Sequence, residues 1–201
     1  MTPELANARR GKLTASVAPI IMGGDSTEGL KKLIRKLAGE RIYGDLGEES
    51  FQSAKMKDGN ECEPEALDWA EFTFDCTLRR GVCIQHPTMD YVAGTPDALA
   101  DSLGLVVECK SPLFHVWADT RERGEIPSEY RWQCRWQLWI AKELYGWTEG
   151  RFVSYHRRPR GLVIPFTVTD QEIEQMKQRA MYVNVRIEEC MQILSEGRVV
   201  A

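Results

Sequence analysis

Hydrophobic and polar positions follow two different periods along this chain. Apolar residues recur every three to four positions over 26–43, 128–145 and from Thr169 or Asp170 towards 195–197, which predicts three long helices. Weaker patterns of the same period predict helices over 14–24, with Thr14 as N-cap, and over 48–57, 61–72 and 112–123. The chain is therefore expected to be rich in helix.

Short apolar runs lie between these helices and predict strands over 72–77, 82–84, 91–93, 105–110, 151–156 and 162–168. Together the two patterns predict an α/β (α+β) fold with a small mixed central sheet flanked by helices. No linker, internal repeat or low-complexity tract divides the sequence, so a single domain over 1–201 is expected.

The run at 105–110 ends in the residues that suggest chemistry. Side chains alternate faces on a strand, so Glu108 and Lys110 share one face. Asp97 follows Thr95-Pro96 about ten residues earlier, a spacing that lets a hairpin return the chain to Glu108. Buried charges persist when they are paired or bind a metal.

An Asp, a Glu and a Lys in one pocket fit the hydrolysis of a phosphodiester. Mg²⁺ prefers carboxylate oxygens, so Asp97, Glu108 and the main-chain carbonyl of Cys109 are candidate ligands for one or two ions. Positive charge nearby is expected to lower the pKa of Lys110, which then orients or deprotonates the attacking water.

Charge is distributed unevenly along the chain. The formal net charge is −4, with ten Lys and Arg against eight Asp and Glu in 1–60, five against thirteen in 61–125, and eleven against nine in 126–201. The acidic excess surrounds the candidate metal site. Basic groups on either side, among them Arg9, Arg10, Lys12 and the run 157–160, are available for phosphates; an ordinary solvated surface is the alternative explanation.

Cysteine usage and hydropathy limit the class of protein. Six cysteines lack any C-x-x-C pair, so free thiols are expected rather than a zinc or iron–sulfur site. No apolar run approaches the roughly 20 residues of a membrane span, and the first residues lack the features of a signal peptide. A cytoplasmic protein is expected, in the host cell if a phage encodes it.

Polar residues on two predicted helices complete the candidate site. Glu63 begins one helix, although an acidic residue there also suits the helix dipole. Gln133 and Gln137 lie four apart and share a helix face. All three are expected to reach the metal pocket.

Five motifs in this order closely resemble the phage lambda exonuclease and YqaJ-type viral recombinase family of the PD-(D/E)xK nuclease superfamily. They cover most of the chain and comprise Arg9-Arg10-Gly11-Lys12-Leu13-Thr14-Ala15-Ser16, the segment from Gly59 to Ala66, Thr95-Pro96-Asp97-Ala98-Leu99, Glu108-Cys109-Lys110-Ser111-Pro112, and the segment from Tyr130 to Trp139.

The resemblance implies a Mg²⁺-dependent enzyme, in which Mn²⁺ substitutes for Mg²⁺, that digests one strand of linear double-stranded DNA from 5′ to 3′. It also implies a ring-shaped homotrimer that works with a single-strand annealing protein in recombination. Family roles place metal ligands at Asp97 and Glu108, water activation at Lys110, and support of the metal or nucleophile at Glu63 and Gln133.

For the DNA, the resemblance implies that Arg9 and Ser16 bind the 5′-phosphate, with Arg10 as the alternative, and Gln137 is taken as a DNA contact. Ser16 in the first turn of a helix suits an anion for physical reasons as well. The family's Pro-Asp-Gly is Pro-Asp-Ala at 96–98 in this chain. Two alternatives remain open: another PD-(D/E)xK nuclease, either an endonuclease or a Cas4-like single-strand exonuclease, and a non-catalytic module that binds DNA ends.

Overall fold

A computed structural model describes residues 2–46 and 54–196, with the backbone alone for 54–61. Its helices are α1 (Pro3–Arg9), α2 (Ala18–Ile21), α3 (Glu28–Tyr43), α4 (Ala54–Phe74), α5 (Phe114–Arg123), α6 (Ser128–Tyr145) and α7 (Asp170–Ser195). Its strands are β1 (Leu13–Thr14), β2 (Arg79–Arg80), β3 (Ile84–Gln85), β4 (Val92–Gly94), β5 (Ala98–Ala100), β6 (Leu105–Lys110), β7 (Glu149–Ser154) and β8 (Leu162–Thr167). A short 3-10 turn, Ala15–Val17, joins β1 to α2.

Two sheets are formed. The larger has five strands in the order β2-β5-β6-β7-β8, with β6 and β7 parallel and the other neighbours antiparallel. The smaller has the order β1-β4-β3, with β1 parallel to β4. Strand β6 therefore lies at the centre of the larger sheet, which is where a continuous apolar run is expected.

Helices cover both faces of β6. Val106 packs with Trp136 and Trp139 of α6 on one face, whereas Val107 and Cys109 pack in a second cluster with residues of α4 on the other. Since successive side chains on a strand change face, Glu108 points with Val106 towards α6. The pattern of β6 thus places a carboxylate in the interior, beneath α6.

Most of the predicted elements are confirmed. Strand β6 and helix α6 have the predicted bounds, and α7 begins after Thr169, which forms a reciprocal capping box with Glu172. The mixed α/β fold class is likewise confirmed. The single-domain organisation over 1–201 stays a prediction.

Two predictions about local structure were wrong. Residues 72–74 form the last turn of α4 rather than a strand, and the chain pairs only from Arg79. Helix α4 continues through 58–60, where the sequence indicates a break unless tertiary contacts carry the helix through. The segment 14–24 is not one helix, because Leu13–Thr14 pairs with β4 and α2 begins only at Ala18.

Strand β5 was not predicted as a strand, since its three apolar residues, Ala-Leu-Ala, are too few to show an alternating pattern. The predicted helix over 48–57 lies outside the described residues at 48–53, and α4 begins within it, at Ala54. Within the described part of the chain, no helix combines the length and the hydropathy that a membrane crossing requires.

Candidate active site

Glu108 is the centre of a polar cluster between β6 and α6. Its side chain is completely buried. Lys110 Nζ and Gln133 Nε2 both donate to Oε1, and Gln137 Nε2 donates to Oε2 at 2.8 Å. The two glutamines lie one helical turn apart and therefore present their amides to the same carboxylate. The predicted association of Glu108, Lys110 and Gln133 is present in the structure.

Asp97 lies beside this cluster, immediately before β5. The β5–β6 register pairs Ala98 with Val107, and its continuation by one residue sets Asp97 opposite Glu108 on the same face of the sheet. Asp97 Oδ2 accepts a 2.7 Å hydrogen bond from the Cys109 amide and is 3.8 Å from Lys110 Nζ. The hairpin predicted between Asp97 and Glu108 is thus formed.

The position of the Cys109 carbonyl follows from the same hydrogen bond. In an extended strand the N–H and C=O of one residue point to the same side, so the Cys109 carbonyl is directed to the side of Asp97. Oxygen atoms of Asp97, Glu108 and Cys109 that could bind a metal consequently face one region, beside the start of β5.

Electrostatics in the cluster are dominated by burial and by the proximity of two acids. Burial, together with the charge of Glu108, raises the pKa of Asp97 to about 8. Burial alone would lower the pKa of Lys110, but the carboxylates of Glu108 and Asp97 outweigh it and the pKa is raised. The lowering of the Lys110 pKa was predicted for an amine beside bound ions, and it stays a prediction for that state.

Glu63 approaches the cluster from α4. Its side chain is partly buried, and its charge contributes to the raised pKa values of Asp97 and Cys109. Helix α4 packs against β6, which explains how a residue from this helix comes close to the acidic pair. Its predicted supporting role stays a prediction.

The donor set fits Mg²⁺. Two carboxylates and a main-chain carbonyl offer hard oxygen ligands, and Mg²⁺ is commonly held by one or two carboxylates with water and substrate phosphate completing the shell. Among the described residues, no group of three or more His, Cys, Asp or Glu side chains is arranged to hold an ion by itself. The cluster therefore suits an ion that shares its coordination with the substrate, and not a closed protein cage.

Arg9 and Ser16 are brought together near the end of β1. Arg9 Nη2 donates to Ser16 Oγ at 3.1 Å, and Ser16 is exposed. Strand β1 pairs with β4 so that Thr14 lies opposite Ala93, and the 3-10 turn that contains Ser16 follows β1 and contacts β4. Arg10 instead approaches Asp45 at 3.6 Å, so Arg9 is the arginine that accompanies Ser16.

Gln137 reaches the cluster around Glu108, as predicted, but it lies too deep for the DNA contact that was also predicted. It has no exposed surface, and besides Glu108 its Nε2 contacts the Thr95 carbonyl at 3.3 Å. A direct contact with DNA does not agree with this position, since a duplex cannot reach a fully buried side chain. Gln137 links the Glu108 carboxylate to the segment that carries Asp97.

Tyr130 is a neighbour of the cluster that the sequence reasoning did not single out. The Lys110 ammonium lies 5.6 Å from the centre of its ring, which also stacks on Phe152. The signal was available in the sequence, because Tyr130 lies three residues before Gln133 and hence on the same face of α6.

Residues 4–143 match the sequence model of a known family, the YqaJ-like viral recombinase domain. No curated protein sequence matches the chain significantly.

Several solved structures share the fold. An alkaline exonuclease (LHK-Exo) from Laribacter hongkongensis has a TM-score of 0.83 and 23% sequence identity, over 97% of this chain and 97% of that one. LHK-Exo in complex with dAMP has a TM-score of 0.83 and 24% sequence identity over the same shares of both chains. A phage-related exonuclease from Haemophilus somnus 129PT has a TM-score of 0.65 and 16% sequence identity, over 92% of this chain and 96% of that one. At these identities the likeness establishes the fold.

Proposed function

The chain belongs to the YqaJ-like viral recombinase domain family, and from this premise we propose that it is a Mg²⁺-dependent exonuclease that degrades one strand of linear double-stranded DNA from the 5′ end. The observation that carries the proposal is the assembly of Asp97, Glu108 and Lys110 in one buried cluster. Solved structures with the same fold are described as exonucleases, which supports the same activity.

In the proposed mechanism each residue has a defined task. Asp97, Glu108 and the Cys109 carbonyl would hold Mg²⁺, or Mn²⁺ as a substitute, which when bound would supply the positive charge that phosphodiester hydrolysis needs. Lys110 directs the attacking water towards phosphorus, and Gln133 and Gln137 keep the Glu108 carboxylate in its orientation.

The choice of the 5′ end rests on Arg9 and Ser16. A guanidinium and a hydroxyl that already contact each other form a ready pair of donors for a terminal phosphate. The turn that contains Ser16 contacts β4, and β4 is followed in the chain by the segment that carries Asp97. In the proposal, a terminal phosphate held by Arg9 and Ser16 leaves the next phosphodiester at the metal ligands. LHK-Exo was crystallised with dAMP, a mononucleotide of the kind that stepwise digestion releases.

Assembly and partnership are part of the proposal and rest on the family. A ring-shaped homotrimer around the duplex would explain processive digestion, and a single-strand annealing protein would bind the strand that remains. Light scattering at micromolar concentration measures the first property, and a strict monomer contradicts it.

The decisive assay uses linear duplexes labelled on one strand at either end. We expect digestion of the strand whose 5′ end carries a phosphate, release of mononucleotides, dependence on Mg²⁺, and no cutting of covalently closed circles. Lys110→Ala, prepared in parallel, controls for contaminating nucleases. Cutting of closed circles would establish an endonuclease instead, and label release that requires a 3′ end would contradict the polarity.

A further inference from the structure

A basic loop beside the candidate active site contains two arginines to which the proposed mechanism gives no task. The loop, residues 155–161, connects β7 to β8. Its first arginine, Arg157, is paired with Glu65 through two hydrogen bonds of 2.9 and 2.7 Å. Arg158 and Arg160 are exposed, and neither forms an ion pair within the described part of the chain.

The loop is held in a defined position. At its start, the Tyr155 amide donates to the Lys110 carbonyl at 2.8 Å, which ties the loop to the lysine of the site. At its end, Gly161 lies against the Trp69 ring so closely that an added Cβ would be 2.2 Å from a ring carbon. With the Arg157–Glu65 pair between these points, the exposed guanidinium groups extend from an anchored loop.

The sheet topology places this loop on the side of the cluster opposite to Arg9 and Ser16. Strands β6 and β7 are parallel, and Lys110 pairs with Ser154, so the chain leaves β7 at the same end as Lys110. Ser16 lies in the 3-10 turn after β1, which contacts β4. Strand β4 leads through residues 95–97 into β5, which lies on the opposite side of β6 from β7.

An exposed aromatic ring accompanies the loop. Phe114, at the start of α5, is 57% exposed, and its ring centre is 5.7 Å from that of His156. Cationic side chains beside an exposed aromatic ring form the usual combination for binding a nucleic-acid strand, because phosphates meet the charges and a base meets the ring. We call Phe114, His156, Arg158 and Arg160 the flanking surface.

We propose that the flanking surface binds the digested DNA strand on the 3′ side of the bond that is hydrolysed. This inference rests on the proposed function: with the 5′-phosphate at Arg9 and Ser16 and the scissile bond at the metal ligands, the strand continues towards β7. The loop that carries Arg158 and Arg160 begins one residue after Ser154, the partner of Lys110. In this proposal the two arginines bind the first two phosphates beyond the bond.

The first test measures equilibrium binding of a 5′-phosphorylated duplex in Ca²⁺, at several salt concentrations, by the full-length protein. The variant is Arg158→Gln/Arg160→Gln, and the matched control is Lys32→Gln/Arg35→Gln, which removes the same charge from exposed positions on α3. Each lost phosphate contact lowers the slope of log K against log salt by about 0.9. We expect a fall of about 2 in the loop variant, with about fivefold weaker binding, and no change of slope in the control.

The second test locates the contact on the DNA. Uncharged methylphosphonate links replace the two phosphates beyond the scissile bond, either in the digested strand or in its complement. In the wild-type protein the links in the digested strand should weaken binding at least threefold, and in the loop variant they should have no further effect. The assignment is overturned if the loop variant is coupled only to links in the complement, if the Lys32→Gln/Arg35→Gln control has the same effect as the loop variant, or if the effects of the links and of the loop variant are independent.

Failure of the proposed function is distinguishable from failure of this inference. If the wild-type protein neither binds nor digests the duplex, the proposed function fails. If it digests the duplex with normal 5′ preference while the loop variant binds with an unchanged salt slope, the proposed function stands and the flanking surface has no such role. Circular dichroism and the thermal midpoint of the variant exclude misfolding as the cause of a loss.

Discussion

Replacement of Gln137 by methionine tests whether the buried amide orients the metal ligands. Methionine has nearly the same length and volume, so the change removes hydrogen bonds with little loss of packing. Gln137 Nε2 donates to Glu108 Oε2 at 2.8 Å and to the Thr95 carbonyl at 3.3 Å, whereas its Oε1 is buried without a hydrogen-bond partner among the described residues. The variant therefore removes two hydrogen bonds and one buried, unpaired oxygen, which are three separate contributions to stability.

The net effect on stability can be estimated from these three interactions. Loss of a hydrogen bond to a charged group costs about 1.5–3 kcal/mol, and the long contact to Thr95 adds about 0.5 kcal/mol. Removal of the unpaired Oε1 returns about 1 kcal/mol. We expect a decrease of about 1–2.5 kcal/mol in the free energy of unfolding, which corresponds to a fall of about 2–10 °C in Tm for a chain of this size.

The measurement is urea or thermal unfolding of the metal-free protein, followed by calorimetric titration of Mg²⁺ into the folded protein. Because Glu108 Oε2 loses its donor, the carboxylate is expected to sample other orientations and Mg²⁺ affinity to fall. Gln133→Met is the matched control: Gln133 is partly exposed, and Glu108 Oε1 keeps Lys110 as a donor, so its stability should change by less than about 1 kcal/mol.

Two outcomes would refute this reasoning. If Gln137→Met is as stable as the wild-type protein or more so, the unpaired Oε1 outweighs the bond to Glu108, and the amide does not hold the carboxylate. If its stability falls but Mg²⁺ affinity is unchanged, Gln137 supports the fold only, and Glu108 is oriented by Lys110 and Gln133 alone.

Four further predictions follow from the structure. Lys110→Ala should reduce hydrolysis about 10²–10⁴-fold and leave duplex binding, measured by fluorescence anisotropy, within about twofold. Arg9→Ala should abolish the preference for 5′-phosphate over 5′-hydroxyl ends, a loss of about 10- to 100-fold for a charged hydrogen bond, whereas Arg10→Ala should retain it in the same competition assay. Mg²⁺ at about ten times its Kd should stabilise the protein by about 1.4 kcal/mol, seen as a rise in Tm that Glu108→Gln removes. Burial keeps the pKa of His86 below its usual 6.5. As pH falls through 6.5, the unfolded chain therefore takes up a proton that the folded chain does not, and the folded state loses stability. In urea titrations, the stability lost between about pH 7 and 5 should be smaller in His86→Asn than in the wild-type protein, and equal losses would show that another group is responsible.

The sequence alone predicts those elements in which the hydrophobic pattern agrees with the burial seen in the structure. Strand β6 is apolar on both faces because helices cover both, and its only charged residues lie at the end that forms the site. Helix α6 has a wide apolar face and α7 a capping box, so both have strong local signals. The pairing of Asp97 with Glu108 was predictable because it depends on a short hairpin, which is local in sequence.

The errors occur where a local pattern competes with tertiary contacts. Residues 72–77 are aromatic and β-branched, which favours a strand, yet 72–74 extend α4 and leave Phe72 87% exposed. Ala98–Ala100 has no strand-like composition, but pairing with β6 makes it a strand. The complete burial of Gln137 could not be predicted either, since spacing on a helix shows which residues share a face but not how deeply that face is buried.

The proposed binding of DNA by a chain with net charge −4 requires cationic groups outside the cluster. Asp97, Glu108 and Glu63 bring three acidic groups close together, and Lys110 contacts two of them. A bound Mg²⁺ offsets what remains but adds little attraction for phosphates farther along the strand, because exposed charges are screened within about 8 Å at physiological salt. Attraction along the rest of the strand must therefore come from cations on either side, where Arg9 lies on one side and Arg158 and Arg160 on the other. On this argument, neutralising both sides should weaken DNA binding more than neutralising either, and the combined loss should be additive because the groups contact different phosphates.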